Sequence, residues 1–168
     1  MRRSQRAVCL DASAIVAHHH VSVETDEPDS EVLRQWLRQE ATKYTTPLCF
    51  FESLNVYKSK WFHKKKWTFE QYREACFATY TWYQASNRYI KDVDFNKPAI
   101  FHEAYLLALK HNLDLSDALQ LVSVRDGFFS VLVNESSTIL CTGDSGLAVA
   151  ARSEGLRVWN FRQEAPPA

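Results

Sequence analysis

The sequence predicts a single α/β domain, built as a three-layer α/β/α sandwich with a mostly parallel central sheet. At the N-terminus the apolar strand "VCL" at residues 8–10 is followed at once by the first helix. Near the C-terminus, "STILCTGDSGLAVAARSEGLRVWNF" has the pattern strand, tight turn, helix, strand, with Gly155 as the helix stop. Strands that alternate with helices form parallel sheets covered by helices.

Between these two ends the sequence predicts five further helices. Each has apolar residues at helical spacing and a recognisable start or stop signal. These signals are Asp29 or Ser30 as a cap, Thr46 followed by Pro47, the capping-box pair Thr68 and Gln71, Asn112 as a stop, and Ser116 as a cap. The stretch "YIKDVDF" is predicted to be a short strand.

Length and composition limit the class of protein. The 168 residues predict one domain, with a core over residues 7–161, a helical extension over about 58–98 and a short polar C-terminal tail over 162–168. Twenty basic residues balance twenty acidic ones, so binding to a polyanion would need a local patch. The four cysteines have no zinc-site spacing and are expected to be buried in a reducing compartment. No signal peptide or membrane-spanning run is seen, so a cytoplasmic protein is expected.

Acidic residues stand where strands end and helices begin. Asp11 and Asp144 each follow an apolar strand, and both should point into the crevice at the carboxyl edge of the sheet. Asp117 lies in the first turn of a helix, and Glu52 lies in the early turns of the helix that starts at Pro47. Two carboxylates about 4 Å apart repel by roughly 4 kcal/mol at an effective dielectric near 20, so four need raised pKa values or a divalent cation. Carboxylate oxygens select Mg²⁺ or Mn²⁺.

Each acid also has an ordinary structural interpretation. Asp117 suits a helix N-terminus, Asp144 suits a turn before Gly146, and Glu52 suits a solvated helix face. Only Asp11 is unusual by itself, because no turn residue separates it from the strand. The prediction of a metal site therefore depends on the set and on its order along the chain.

That order resembles the PIN-domain ribonucleases, most closely the VapC-type toxins of toxin–antitoxin pairs. The matching stretches lie between Val8 and Phe161 and are "LDASAIV", "FFESLNV", "LSDALQLVSV" and "ILCTGDSGLAVAARSEGLRVW". The resemblance implies a PIN-like fold and a homodimer. It also implies metal-dependent RNA hydrolysis that leaves a 5′-phosphate and a 3′-hydroxyl, and a cognate antitoxin protein as partner.

The resemblance also assigns roles to residues. It implies that Asp11, Glu52, Asp117 and Asp144 are the catalytic acids that hold Mg²⁺ or Mn²⁺, with Ser13 and Thr142 supporting them by hydrogen bonds. Asp114 is a rival to Asp117, which we prefer because "DALQL" begins at Asp117. Glu103 is a further acid to which no role is assigned.

The segment "KSKWFHKKKW" is the only dense basic patch. Its candidate RNA-binding residues are Lys58, Lys60, Lys64, Lys65, Lys66 and Trp61. Lysines neutralise phosphates and aromatic rings stack on unpaired bases, although tryptophans at a solvated helix end are equally expected to enter the core. The run His18–His20 cannot place three neighbouring side chains on one ion, and it is expected to be the exposed end of the first helix.

Three hypotheses about function follow. The leading one is a metal-dependent endoribonuclease that acts as the toxin of a toxin–antitoxin pair. The second is a PIN-like module that binds RNA or protein without cutting it, which the intact set of four acids disfavours. The third is a receiver-like phosphorylation domain, which fits poorly because paired N-terminal acids and a late lysine after a strand are missing from the pattern.

Overall fold

The structure is a computed structural model that describes residues 6–19, 30–85, 93, 97–127, 130–132 and 137–167. Four strands and seven α-helices alternate along this part of the chain. In chain order they are β1 (Arg6–Leu10), α1 (Ala12–His18), α2 (Ser30–Glu40), β2 (Ala41–Tyr44), α3 (Pro47–Lys58), α4 (Phe69–Ala85), α5 (Pro98–His111), α6 (Leu115–Asp126), β3 (Ile139–Thr142), α7 (Ser145–Ser153) and β4 (Arg157–Asn160). A π-helical turn, Ser59–His63, continues α3.

The four strands form one parallel sheet in the order β2-β1-β3-β4. The two strands that end in aspartates, β1 and β3, are therefore direct neighbours, and Leu10 pairs with Cys141. Because the strands are parallel, their carboxyl ends meet at one edge. This confirms the predicted α/β class with a parallel sheet.

Helices cover both faces of the sheet, because successive strand residues point to opposite sides. On one face Ala7, Cys9 and Leu140 pack with buried residues of α5, α6 and α7. On the other face Val8, Leu10 and neighbouring strand residues pack with α1, α2 and the start of α3. The predicted three-layer α/β/α arrangement is therefore confirmed.

Several predicted helix boundaries are confirmed by their capping contacts. Thr46 Oγ1 accepts the Cys49 N–H at 3.1 Å, with Pro47 in the first turn. Thr68 and Gln71 form the reciprocal capping box at 2.8 and 3.2 Å. Asn112 ends α5 in the left-handed conformation with φ of 53°, and Gly155 follows α7 with φ of 79°.

Some predictions were wrong in detail. Strand β2 was not predicted. The cap of α6 is Asp114, whose carboxylate accepts the Asp117 N–H at 2.8 Å, and Ser116 lies inside the helix. The predicted exposed end of the first helix is wrong at His19, which is 8% exposed with its ring 4.7 Å from that of Trp82, while His20 lies outside the described residues.

The remaining segments fall partly outside the described residues. Most of the predicted strand "YIKDVDF" lies outside them. Within the predicted extension, the π-helical turn leads into α4, which packs on α3 through Tyr57, Trp67 and Ala75. Residues 162–167 of the predicted tail pack on the domain, because Trp36 Nε1 donates to the Pro167 carbonyl and Trp159 Nε1 to that of Glu164. In the described part of the chain, no helix has both the length and the apolar character needed to cross a bilayer.

A charged network joins α5, α6 and α7 away from the carboxyl edge of the sheet. Glu154 accepts Lys110 Nζ and His111 Nε2, both at 2.7 Å, and also contacts Arg125. Arg125 in turn pairs with Glu103 at 2.9 Å. Glu103 thus has a structural partner within this network.

We expect Glu154→Gln to lower the free energy of unfolding by about 1–2 kcal/mol at neutral pH, because hydrogen bonds to charged groups are lost. Lys110 and His111 hold the pKa of Glu154 at about 2, below its ordinary 4.5. The contribution of the charged form is therefore present above pH 4.5 and lost as pH falls toward 2. Urea unfolding at pH 7 and pH 3 measures both effects.

The matched control is Glu31→Gln. Glu31 pairs with Arg34 on the surface, with a side chain that is 57% exposed. Exposed ion pairs contribute at most about 1 kcal/mol, so this variant should change stability less than Glu154→Gln does. An equal loss of unfolding free energy for Glu154→Gln and Glu31→Gln at pH 7 would contradict the stabilising role of Glu154.

Candidate active site

Asp11 lies one residue beyond β1 and still belongs to the sheet ladder, since its N–H donates to the Cys141 carbonyl at 3.1 Å. Its carboxylate caps α1 by accepting the Ala14 N–H at 2.7 Å. It also accepts the hydroxyls of Ser13 at 2.7 Å and Thr142 at 2.5 Å. The residue is only 4% exposed, and this burial raises the pKa of Asp11 despite the three hydrogen bonds.

Asp144 occupies the equivalent place two residues after β3. Its carboxylate caps α7 by accepting the Leu147 N–H at 2.8 Å. Its own N–H donates to Thr142 Oγ1 at 2.9 Å, while the Gly143 N–H donates to Ser13 Oγ at 2.7 Å. The hydroxyls of Ser13 and Thr142 therefore link the ends of the two strands and fix the relative positions of their aspartates.

The remaining acids come from α3 and α6. Glu52 lies in the second turn of α3, and the Ser116 hydroxyl of α6 donates to its Oε1 at 3.5 Å. Asp114 caps α6, and Asp117 lies one turn further along the same helix. The sequence presented Asp114 and Asp117 as rivals, but the structure brings both to the same place.

All five carboxylates line one open cleft of about 260 Å³ at the carboxyl edge of the sheet. The four predicted acids and Ser13 are among its lining residues, and Thr142 lies buried beneath Asp11. The acids come from four separate places in the fold: the end of β1, α3, the start of α6 and the turn after β3. The cleft is thus strongly negative although the whole chain is neutral.

This concentration of charge changes the acidity of the carboxyls. Partial burial, followed by repulsion from Asp114, Asp144, Glu52 and Asp11, raises the pKa of Asp117 to about 7 from its ordinary 3.8. Burial, followed by repulsion from Asp114 and Asp11, also raises the pKa of Glu52. These carboxyls therefore take up protons at higher pH than free carboxyls do, and a bound cation would offset the same repulsion.

The donor set suits a divalent cation. Within the described ranges, no three acidic, histidine or cysteine side chains already stand close enough together to hold a metal ion. Three of the aspartates instead direct one carboxylate oxygen at the N-terminus of a helix: Asp11, Asp114 and Asp144. Carboxylate oxygens from four places around one cleft nevertheless are the hard ligands that Mg²⁺ and Mn²⁺ prefer.

Gln120 adds a second indication of a polar ligand in the cleft. It is buried at the cleft wall, and its Nε2 donates to Cys49 Sγ at 2.5 Å. Its other amide atom, Oε1, is buried without a hydrogen-bond partner among the described residues. Buried acceptors are rarely left unpaired, so this oxygen could accept a further donor at the cleft wall.

The sequence did not indicate Gln120 or Arg162 as cleft residues. Gln120 lies one turn after Asp117 on α6, a position that α-helical spacing alone could have suggested. Arg162 was placed in the polar tail, but it lies just after β4 and lines the cleft. Its place follows from β4 being next to β3, which local sequence does not show.

The predicted RNA-binding residues lie outside the cleft lining and differ in exposure. Lys58, Lys64, Lys65 and Lys66 are exposed. Lys60 is only 6% exposed, with its Nζ 5.2 Å from the Trp67 ring centre, so its side chain faces the protein. Trp61 is half-buried and stacks on Tyr72 with ring centres 4.9 Å apart.

The cysteines occupy apolar positions, as predicted. Cys9, Cys49 and Cys141 are buried and Cys76 is half-buried, and none of these four, all within the described residues, forms a disulfide. Burial raises the pKa of Cys49 to about 12, so this thiol beside the cleft stays protonated at neutral pH. It is therefore no candidate for a thiolate ligand or nucleophile.

Comparisons with known proteins agree with this architecture. The family model of the PIN domain matches residues 8–152. The crystal structure of PAE2754 from Pyrobaculum aerophilum is similar over 94% of this chain and 92% of that chain, with a TM-score of 0.53 at 16% sequence identity, which shows the fold alone. No curated protein matches the chain. The matched region contains the end of β1, all of β3 and all five cleft carboxylates, and the chain belongs to the PIN-domain family.

Proposed function

We propose that the protein is a divalent-metal-dependent endoribonuclease that hydrolyses RNA phosphodiester bonds. The observation that carries the proposal is the cleft in which five carboxylates meet. Burial, followed by repulsion from the other four, raises the pKa of Asp117 there to about 7. PIN domains are generally nucleases. Membership of this family argues against the receiver-like hypothesis. Perturbed carboxyls in a cleft are typical of functional sites.

Asp11, Glu52, Asp117 and Asp144 are the proposed ligands of Mg²⁺ or Mn²⁺, with Asp114 as a further acid at the same cleft. When bound, the cation supplies an activated water and stabilises negative charge on the phosphate. Ser13 and Thr142 hold the Asp11 carboxylate in place through their hydroxyls. The pKa of Asp117 is about 7 in the metal-free cleft, and a bound cation would favour its ionised form.

The exposed lysines after α3 are proposed to bind the RNA backbone. Lys64, Lys65 and Lys66 are consecutive and exposed, and Lys65 Nζ lies 5.7 Å from the ring centre of exposed Phe62. Phe62 thus offers a face on which an unpaired base can stack. Lys60 and Trp61 are better explained by their contacts with Trp67 and Tyr72.

We expect the triple variant Lys64→Gln/Lys65→Gln/Lys66→Gln to bind single-stranded RNA more weakly and with less dependence on salt. Each lost phosphate contact reduces the magnitude of the negative slope of log binding constant against log salt concentration by about 0.7. Three lost contacts reduce it by about 2. Fluorescence anisotropy over a range of salt concentrations measures the slope. Lys97→Gln, which changes an exposed lysine before α5, is the control and should keep the wild-type slope. An unchanged slope for the triple variant would contradict this binding role.

We further propose that the nuclease is the toxin of a toxin–antitoxin pair and forms a homodimer. Exposed apolar side chains support an association surface: Phe101, Tyr105 and Leu109 follow one another at four-residue spacing on α5. A reading frame for a small antitoxin beside this gene, and inhibition of cleavage by its product, test the toxin role. Light scattering on the purified chain tests the dimer.

The proposed activity is tested by incubating the purified chain with a pool of structured and single-stranded RNAs. We expect cleavage with Mg²⁺ or Mn²⁺ and none with EDTA. Cation binding measured by calorimetry, without cleavage of any RNA under any metal, would overturn the nuclease proposal in favour of a binding module that does not cut.

A further inference from the structure

Arg162 is a cationic side chain in an otherwise acidic cleft. Its neighbours in the lining include Asp11 and Asp144, the two aspartates at the strand ends, together with Ser13. A phosphodiester that enters this cleft carries a negative charge and meets five carboxylates. Cations bound there offset part of this repulsion, but they leave the phosphate without a directional hydrogen-bond donor from the protein.

Arg162 is exposed, and contacts with the end of β4 and with the turn after β3 place its side chain at the cleft. Its backbone N–H donates to Asn160 Oδ1 at 3.1 Å, in a turn where the Gln163 and Glu164 N–H groups donate to the Asn160 carbonyl. Its guanidinium lies 5.6 Å from the Phe161 ring centre, and Nη1 approaches the Gly143 carbonyl at 3.5 Å. The side chain thus leaves the end of β4 and crosses the turn that leads to Asp144.

Gly143 makes this crossing possible. A Cβ atom at position 143 would lie 2.8 Å from Arg162 Nε and 2.9 Å from the Phe161 ring. Non-bonded heavy atoms do not approach so closely, so a larger residue at position 143 would displace the guanidinium. The turn between Thr142 and Asp144 therefore accommodates the arginine as well as the aspartate.

We propose that Arg162 binds the scissile phosphate of the RNA and orients it toward the carboxylates of the cleft. A guanidinium presents a planar fork of donors that matches two phosphate oxygens, whereas an ammonium acts as a point charge. The inference rests on the proposed nuclease function and deepens it by naming the protein group that contacts the substrate. Arg162 is a catalytic residue in this proposal, since it touches the reacting phosphate.

The first test compares wild type, Arg162→Gln and Arg162→Lys on a single-stranded RNA oligonucleotide with one cleavage site. We expect Arg162→Gln to lower kcat/KM by about 100-fold, as for removal of other donors to a reacting group, and Arg162→Lys to restore part of the loss. Arg38→Gln, which changes an exposed arginine on α2, should cleave as wild type does. Arg162→Gln activity equal to wild type would overturn the proposal.

The second test measures binding without catalysis. In EDTA and in the Asp11→Asn background, anisotropy of a labelled oligonucleotide should show a weaker affinity for Arg162→Gln and a salt slope smaller by about 0.7, the value for one lost contact to single-stranded RNA. An unchanged slope would overturn the phosphate contact. If Arg162→Gln with Asp11 intact then also needed less Mg²⁺ for half-maximal cleavage, Arg162 would act through the carboxylates instead. If the wild type cleaves no RNA, the nuclease proposal fails, while this binding test still decides whether Arg162 contacts phosphate.

Discussion

The Asp11→Asn variant is expected to lose metal-dependent RNA cleavage by at least about 100-fold while keeping its fold. Asp11 is the most buried of the cleft acids, and its carboxylate accepts from Ser13, Ala14 and Thr142. Loss of one carboxylate ligand removes several kcal/mol of charge stabilisation, and about 2.7 kcal/mol corresponds to 100-fold in rate. Initial rates with Mg²⁺ and with Mn²⁺ measure the loss.

The fold should survive this change because asparagine is also a good helix cap and adds no volume. Burial raises the pKa of Asp11, so removing the charge offsets the hydrogen bond from Thr142 that an amide nitrogen cannot accept, and the melting temperature without metal should change little. Asp144→Asn should show the same loss of cleavage. Asp126→Asn, at the other end of α6 and outside the cleft, is the control. Full activity of Asp11→Asn would refute the proposed role of the cleft.

The two strand-end aspartates are predictable because their signals are local. A short apolar strand that runs directly into an acid, followed by a helix, occurs at Asp11 and again near Asp144. Parallel strands place such acids at the same edge, and the structure adds that β1 and β3 are neighbours. Glu52 and Asp117 are predictable only as members of the resembled pattern, since each suits an ordinary helix position equally well.

What the sequence did not indicate depends on pairing and burial. Strand β2, "ATKY", has little apolar content, and its extended form is stabilised by backbone bonds to β1. The cap of α6 was misassigned because Asp114 and Ser116 both suit that position and only the backbone conformation separates them.

Long polar side chains were the other source of error. The aliphatic part of a lysine packs on apolar surface, so Lys60 can be buried against Trp67 while its sequence neighbours are exposed. His19 is also buried, with its ring near that of Trp82. Patterns of charge along the chain therefore do not show which lysines are exposed. They also omit Arg162, which reaches the cleft from the last strand.

Asp117 gives the second large expected effect, because its charge destabilises the fold when no metal is bound. Its pKa is raised to about 7 from an ordinary 3.8, so the folded state holds the proton more tightly than the unfolded state does. The resulting stability is present below pH 3.8 and is lost as pH rises through about 7. In EDTA, Asp117→Asn should therefore have a higher melting temperature than wild type. The difference should widen from pH 4 to pH 7 and stay constant above pH 7.

A bound cation should reduce this difference. At a concentration 100 times its dissociation constant, a ligand of the folded state alone stabilises it by about 2.7 kcal/mol. The wild type gains this with Mn²⁺, whereas Asp117→Asn, with one carboxylate fewer, binds the ion more weakly and gains less. Melting at pH 8 in EDTA and in Mn²⁺ measures how far the difference decreases, with Glu70→Gln on α4 as a control outside the cleft. Equal gains in Mn²⁺ for the wild type and Asp117→Asn would show that Asp117 does not bind the cation. A lower melting temperature for Asp117→Asn already in EDTA would show instead that its carboxylate stabilises the fold.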